Sequence, residues 1–426
     1  TTPLLDALPN TLSLTSVRTG EALDYEQLVE RVAAEQAKIK HSLDIANNRI
    51  VIGIADPIAC LVALFAVWAS KGCAVLVTPG LAQDEKARVI SKVGASGWIS
   101  DDTLMALAPD KSPHNALPDA ALILMTSGTT GIPKGVTHSL ATLQARLTEN
   151  VKEIGPETLR NTLCALPLFF GRGLIGNCLA ALYAGQNVHL WPTPTMQDYA
   201  QFGTEIGQRN ITFLSSVPSM WRMILQLSAP PKQSPERVHV GSAPLSGPLW
   251  DKIIAWTGTP QVFNTFGMTE TANWISGGRK PANSQAEGFV GAPWGGTFRV
   301  YRDGALHDTG RGEIAVRSPS MMLGLWDAPD QTAALMKDGF MLTGDIGNLS
   351  SDQTVCLVGR NKHEINRGGV KVLAEEIDML LERHPAIEEA CGFGIPDEIA
   401  GELVEAAVKL HSNTETTLAA LIVWCR

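Results

Sequence analysis

The sequence of 426 residues has no run of Lys or Arg, no paired cysteines and no apolar stretch long enough to cross a bilayer. Each absence closes a class. A net charge of −9 repels a phosphate backbone, and without a basic run the chain does not read as a nucleic-acid binder. The seven cysteines (Cys60, Cys73, Cys164, Cys178, Cys356, Cys391 and Cys425) form no CxxC pair and none falls at metal-ligand spacing with histidine. Most lie in apolar stretches, as buried reduced thiols do, which points to a reducing, cytoplasmic setting. The longest apolar run, Ile58 to Ala69, falls short of the ~20 residues of a membrane span and reads as a buried helix. The first residues, TTPLLDALPN, have an early Asp and Pro and no basic start, so they do not read as a secretory leader. No GxSxG nucleophile elbow, no HExxH and no Cys/His zinc pattern occurs.

What is present is an ordinary globular composition, 45% hydrophobic and 18% charged, long enough for two or three domains. Residues 24–44 repeat apolar positions at helical spacing, and Arg49–Ile54 follow as a β-branched strand. The helix at 58–69, a strand at Ala74–Val77, a helix at 85–95 and a strand at Gly97–Ser100 continue the alternation, which predicts parallel α/β layering. Ala121–Met125, Asn187–Leu190, Ile211–Leu214 and Val238–Val240 add further strands. From about Gly288 the strands become short and closely spaced, which predicts an antiparallel sheet or barrel. From about Arg360 a helix at 373–383 and a strand near Ala406–Leu410 predict a small α+β unit.

The sharpest feature is Leu122-Ile-Leu-Met-Thr126-Ser-Gly-Thr-Thr-Gly-Ile-Pro-Lys134-Gly135. A buried strand runs into Thr126, Ser127, Thr129 and Thr130, interleaved with Gly128 and Gly131 and followed by Lys134. Glycine lets backbone N–H groups approach a polyphosphate without a Cβ clash, hydroxyls add donors, and lysine adds charge. Pro133 stands where a Walker A loop needs glycine, so this is a different phosphate loop. A helix is expected from near Ser139.

Residues 125–135 resemble the signature loop of the adenylate-forming superfamily: acyl- and aryl-CoA ligases, stand-alone adenylation domains and firefly-type luciferases. The resemblance runs from about residue 20 to the end of the chain, with further motifs in the family's order. Leu166-Pro-Leu-Phe-Phe170-Gly-Arg-Gly173 resembles the substrate-pocket motif, with Phe170 where many members have His; on residues alone it reads equally well as packing. Gly241-Ser242-Ala243-Pro resembles the stretch beside adenine and the acid's carboxylate, although alone it is only a turn. Phe263-Asn-Thr-Phe266-Gly267-Met268-Thr269-Glu270 resembles the second diagnostic motif, with Phe266 where Tyr is more common. Gly344-Asp345 and Gly359-Arg360 resemble the ribose site. Lys362 occupies the family's hinge position, and Gly368 and Gly369 its acceptor-side turn.

The resemblance implies a large α/β domain of two layered sheets plus a barrel-like part (1–360). A small α+β domain (361–426) would follow, without the family's late lysine segment, since the sequence stops at Ile422-Val-Trp-Cys-Arg426; either the chain is truncated, or a mobile tail is left out, or the enzyme lacks that lysine. It implies ATP-dependent activation of a carboxylic acid as its acyl-adenylate, then transfer to a thiol. Thr126 to Lys134 would take the β/γ-phosphates, Thr269 the α-phosphate, Glu270 Mg²⁺, and Asp345 with Arg360 the ribose. Phe266 would stack on adenine. Phe169, Phe170, Gly171, Gly173, Ser216, Met268 and Trp274 would surround an aryl or short-to-medium acyl acid. The acceptor would be coenzyme A or the phosphopantetheine of a carrier protein, and a non-catalytic nucleotide binder is the reading from another class. Arg172 stays open at this stage. It either points outward, to solvent or an acceptor phosphate, or reads a second polar group on the acid.

Overall fold

The computed structural model describes residues 3–43, 45–107, 117–126, 134–282, 287–367, 370–397, 401–412 and 414–425. Ser127, Gly128, Thr129, Thr130 and Gly131, with Gly368 and Gly369, lie outside these. Among the described residues the strands form four sheets. One of seven strands runs in the order Gly324–Leu325, Lys134–Ser139, Ala120–Thr126, Cys73–Leu76, Arg49–Gly53, Gly97–Ser100, Thr103–Ala106. Its middle pairs are parallel and its two ends antiparallel. A second, of eight strands, has a parallel centre built from Val262–Met268, Arg237–Gly241, Phe213–Ser216, Asn161–Cys164, Asn187–Leu190 and Ser13–Ser16. The predicted α/β layering is therefore observed as two sheets. The region after Gly288 forms an antiparallel seven-stranded sheet, and Glu364–Leu410 supply a four-stranded antiparallel sheet with the helix Ala374–Glu382.

The helix Pro57–Ala69 explains how two such sheets share one core. Its residues Ile58 and Cys60 to Trp68 are all buried, as expected of a helix apolar on every side. Proline in the first turn and the Asp56 side chain, which accepts from the Ala59 N–H, start it. Trp68 Nε1 donates to the Ala121 carbonyl at 2.7 Å, fastening this helix to the strand that leads into the phosphate loop. The helix Leu140–Ile154 starts where expected, with Ser139 and Thr142 forming a reciprocal cap. The sequence reading missed the strand Lys134–Ser139 between loop and helix. It folds back on Ala120–Thr126, with Thr126 opposite Lys134.

Two buried polar contacts tie the layers together. Arg146, fully buried, donates from Nε, Nη1 and Nη2 to the Ser318 and Ser320 hydroxyls and the Trp294 carbonyl at 2.7–3.0 Å. His138, also fully buried, makes a 2.7 Å Nε2 contact to the carbonyl of Thr269. A carbonyl only accepts, so Nε2 carries the proton. Burial pushes the imidazole pKa down to about 4, against the opposing pull of that hydrogen bond, so the ring is neutral. Four of the seven cysteines are buried as expected, Cys356 is intermediate, and Cys391 and Cys425 are exposed. Among the described residues no helix is long and apolar enough to cross a membrane.

The histidine gives a pH signature. Its folded pKa of about 4 lies below the ordinary 6.5, so between these values the unfolded chain binds a proton that the folded chain refuses. Stability is complete above pH 6.5 and is lost as pH falls towards 4. His189, also lowered to about 4 by burial, acts in the same direction. The apparent melting temperature should drop across this window. His138→Gln should shallow the slope while lowering stability at pH 8 by about 1–3 kcal/mol, through a poorer bond to the Thr269 carbonyl. An unchanged slope would remove His138 from this role. Arg146→Met removes the buried hydrogen bonds to the Trp294 carbonyl and the Ser318 and Ser320 hydroxyls, and should cost about 3 kcal/mol in urea unfolding.

Candidate functional site

Four charged side chains from three sheets converge. Lys134 begins a strand of the seven-stranded α/β sheet, and Glu270 lies in the turn Thr269–Thr271 that ends the eight-stranded sheet's strand Val262–Met268. Asp345 and Arg360 face each other on neighbouring strands of the antiparallel sheet. The turn is pinned from both sides. His138 holds the Thr269 carbonyl, and the Met322 N–H donates to the Glu270 carbonyl at 2.7 Å. The same segment bonds back to the phosphate-loop strand through Leu323 N–H to Thr137 O and Trp326 N–H to Gly135 O. The foot of the loop, Thr126 opposite Lys134, is thereby held in fixed relation to Glu270.

Asp345 is 5% exposed, and Arg360 Nε donates to its Oδ1 at 2.8 Å. Its Oδ2 is buried and has no hydrogen-bond partner among the described residues. Burial raises this carboxyl above the usual range and outweighs the pull of Arg360. An orphaned carboxylate oxygen beside a guanidinium is an acceptor awaiting a donor, which a sugar hydroxyl supplies. Glu270 is half-buried, and burial raises its carboxyl too, against the opposing charges of Arg360 and Lys134. No group of three or more His, Cys, Asp or Glu side chains able to hold a metal occurs among the described residues. A metal here would be held by one carboxylate plus ligand oxygens and water, the mode Mg²⁺ accepts.

Around this centre Gly267 and Gly241 are places where only glycine fits. A Cβ on Gly267 would stand 2.3 Å from the Asn273 carbonyl oxygen, at the bulge between the strands 262–268 and 273–279. A Cβ on Gly241 would stand 2.3 Å from the Thr265 carbonyl oxygen and 2.4 Å from Nη2 of Arg172. Ser242, at φ 69°, and Ala243 are exposed at the rim. Phe266 is 7% exposed and packs 6.5 Å from the Phe298 ring, so it offers little free face to a base.

The residues expected around an acid fall in different places. Trp274 is fully buried, edge-on to His239 at 4.6 Å, and Met268 is half-buried at the end of its strand. Ser216 uses its hydroxyl twice within the packing, donating to the His239 carbonyl and accepting from Trp221 Nε1, both at 2.7 Å. Gly171 backs onto Leu124, and Gly173 sits where a Cβ would meet the Pro167 carbonyl oxygen at 2.2 Å. Phe169 lines a cavity of about 510 Å³ with Pro57, Thr78 and Pro192, near the carboxyl ends of the parallel strands 13–16, 49–53, 73–76 and 187–190. Phe170 is 54% exposed. Lys362 is exposed on the turn Asn361–His363, which joins the antiparallel sheet to the four-stranded one. Arg172 does not point outward. It is 8% exposed, and this removes the solvent-facing alternative.

Sequence reasoning missed His138 and Met322–Trp326. The first stands in an alternating strand pattern that gives no sign of a polar contact 131 residues away. The second acts through backbone groups, which any residue carries.

Residues 101–326 match the AMP-binding enzyme family, and residues 376–426 its AMP-binding enzyme C-terminal domain. The chain is 32% identical over 346 residues to an oxalate–CoA ligase of Arabidopsis thaliana, covering 79% of this chain and 65% of that protein. It is 34% identical over 317 residues to a sulfoacetate–CoA ligase of Cupriavidus necator, covering 72% and 61% respectively. The matched part of the chain thus spans just under two thirds of the length of these relatives. The ATP-bound structure of MatB from Rhodopseudomonas palustris superposes with a TM-score of 0.84 at 23% identity, covering 99% of this chain and 90% of that one, which establishes the shared fold. By the length of the family match and the identity to its relatives, the chain belongs to the AMP-binding enzyme family.

Proposed function

We propose that the chain activates a small carboxylic acid with ATP and passes the acyl group to the thiol of coenzyme A. A carboxylate is a poor electrophile. Attack by its oxygen on the α-phosphorus breaks the bond to the β-phosphate bridge, releases pyrophosphate and leaves an acyl-adenylate. Thiol attack on the carbonyl then expels AMP, and the thiol proton goes to solvent. Negative charge develops on phosphoryl oxygens throughout, so the residues act by positioning and electrostatics.

In this reading Thr126 and Lys134, with the loop residues Ser127 to Gly131, take the β/γ-phosphates. Thr269 holds the α-phosphate, and Gly241, Ser242, Ala243, Phe266 and Gly267 border the adenine. Asp345 and Arg360 hold the ribose through the orphaned Oδ2. Glu270 would hold Mg²⁺, which when bound neutralises the phosphate charge. The chain divides at 360/361, with Lys362 as the pivot of the small domain. The arc of ion pairs between the parts is exposed: Arg383 with Glu287, Arg222 with Glu389 at 3.3 Å and Arg311 with Glu376 at 2.9 Å. Such pairs are worth about 0–1 kcal/mol, which permits rotation. The acid–CoA ligases among its relatives support coenzyme A as acceptor.

The observation that carries the proposal is the buried, half-partnered Asp345 carboxylate in the same charged cluster as Glu270, Lys134 and Arg360. Asp345→Asn should weaken Mg²⁺–ATP binding about tenfold to a hundredfold by calorimetry. Glu270→Gln should lower acid-dependent ATP–pyrophosphate exchange about a hundredfold without changing the melting temperature by more than a few degrees. Wild-type nucleotide affinity in the first variant, or wild-type exchange in the second, contradicts the assignment.

A further inference from the structure

Arg172 begins an irregular helical segment, Arg172–Leu179, and lies almost wholly inside the protein. Its Nε donates to the Ser242 hydroxyl at 2.7 Å and its Nη1 to the Thr265 hydroxyl at 3.0 Å. Its guanidinium carbon stands 5.7 Å from the centre of the Trp274 ring. Every one of these partners is neutral, and no carboxylate among the described residues pairs with it. Burial alone lowers its pKa, to about 9, so the group is still a cation at neutral pH. A buried cation without a counter-ion is a costly arrangement that structural packing does not call for.

Arg146 shows how this chain uses a buried arginine purely as a brace. All three of its nitrogens are engaged, by Ser318, Ser320 and the Trp294 carbonyl. Nη2 of Arg172, by contrast, makes no hydrogen bond among the described residues, although it lies closest to Gly241. The absence of a side chain at Gly241 is what gives Nη2 its room, since a Cβ there would come within 2.4 Å. The guanidinium also sits next to the rim, because Ser242, its Nε partner, is exposed and Ala243 and Pro244 beside it are exposed as well. The opposite side is aromatic and cationic: Trp274, then His239, which accepts from Arg237 Nε at 2.9 Å. The site therefore has positive charge, a planar fork with free N–H groups, an opening and no acid of its own.

We infer that Arg172 is a specificity-determining residue that binds a second anionic group, a carboxylate or sulfonate, at the far end of the acid being activated. This rests on the acid-activating function proposed above and names its substrate class. The fork of an arginine binds such a group through two parallel hydrogen bonds, and the ligand brings the missing counter-charge into a site where water does not screen it. A monoanionic acid of the same length leaves the buried cation uncompensated and loses that pairing.

The test is binding of matched acids to the whole 426-residue chain, measured by calorimetry with Mg²⁺ and a non-hydrolysable ATP analogue. The pairs differ only in the terminal group, methyl against anion: propionate against malonate, butyrate against succinate, propionate against sulfoacetate. The wild type should bind one or more of the dianionic partners about tenfold to a hundredfold more tightly than its match. Arg172→Met should lose that preference, and Arg172→Lys should keep part of it. Equal affinity within every pair for the wild type overturns the inference, even if the variants fail to fold. A cooperatively unfolding Arg172→Met variant that keeps the wild-type ranking also overturns it. ATP–pyrophosphate exchange on the same acids separates this from the function it rests on. Dianion binding lost in Arg172→Met, but without exchange, contradicts acid activation and leaves the anion site standing. Exchange with no dianion preference does the reverse.

Discussion

One side-chain hydrogen bond joins the two parts of the chain that, in the proposed function, face the same triphosphate. The strand after the phosphate loop belongs to one α/β sheet and the Thr269–Glu270 turn to another, and His138 bridges them from inside the core. The bridge needs a proton on the ring nitrogen that faces the carbonyl, and burial keeps the ring otherwise neutral. The bridge helps to hold Lys134 and Glu270, which belong to different layers, in fixed relation. Preorganised electrostatics needs its charges fixed before the ligand arrives, because reorganising them would consume the interaction energy. The Met322–Trp326 segment repeats the same connection through backbone bonds, so the site's two halves are fixed twice.

The third sheet contributes differently. Asp345 and Arg360 are locked to each other across adjacent strands, yet one carboxylate oxygen is left over in a buried place. A fold selected only for stability would satisfy or remove that atom. Arg172 shows the same pattern with opposite charge. The proposed function and the inference drawn from it assign a ligand group to each of these incomplete places, whereas Arg146 is complete in its bonds.

The sequence made the chemistry readable where it depends on local residue order. The Thr/Ser/Gly run ending in Lys134 stood out by its own residue order, whereas the Thr269–Glu270 pair, Asp345 and Arg360 were singled out by their resemblance to the family's motifs and alone would read as a cap or turns. The α/β alternation and the later antiparallel texture were legible for a similar reason, since each is a periodic pattern. The strand Lys134–Ser139 was not, because its short run follows a loop and leads straight into a helix cap. Long-range contacts were out of reach as well. Ser216 looked available for an acid, but its hydroxyl is committed to His239 and Trp221. Arg172 could be read as pointing outward or inward between its two glycines, and the structure buries it, with Gly173 lying against the Pro167 carbonyl.

The central claim is that three sheets present one polyphosphate-and-ribose site. A crystal structure of the chain with Mg²⁺ and a non-hydrolysable ATP analogue tests it most directly. The account predicts a ribose hydroxyl within hydrogen-bond distance of Asp345 Oδ2, the triphosphate running towards Thr126 and Lys134, and the metal beside Glu270. A nucleotide bound elsewhere, with Asp345 Oδ2 still unpartnered, would contradict it.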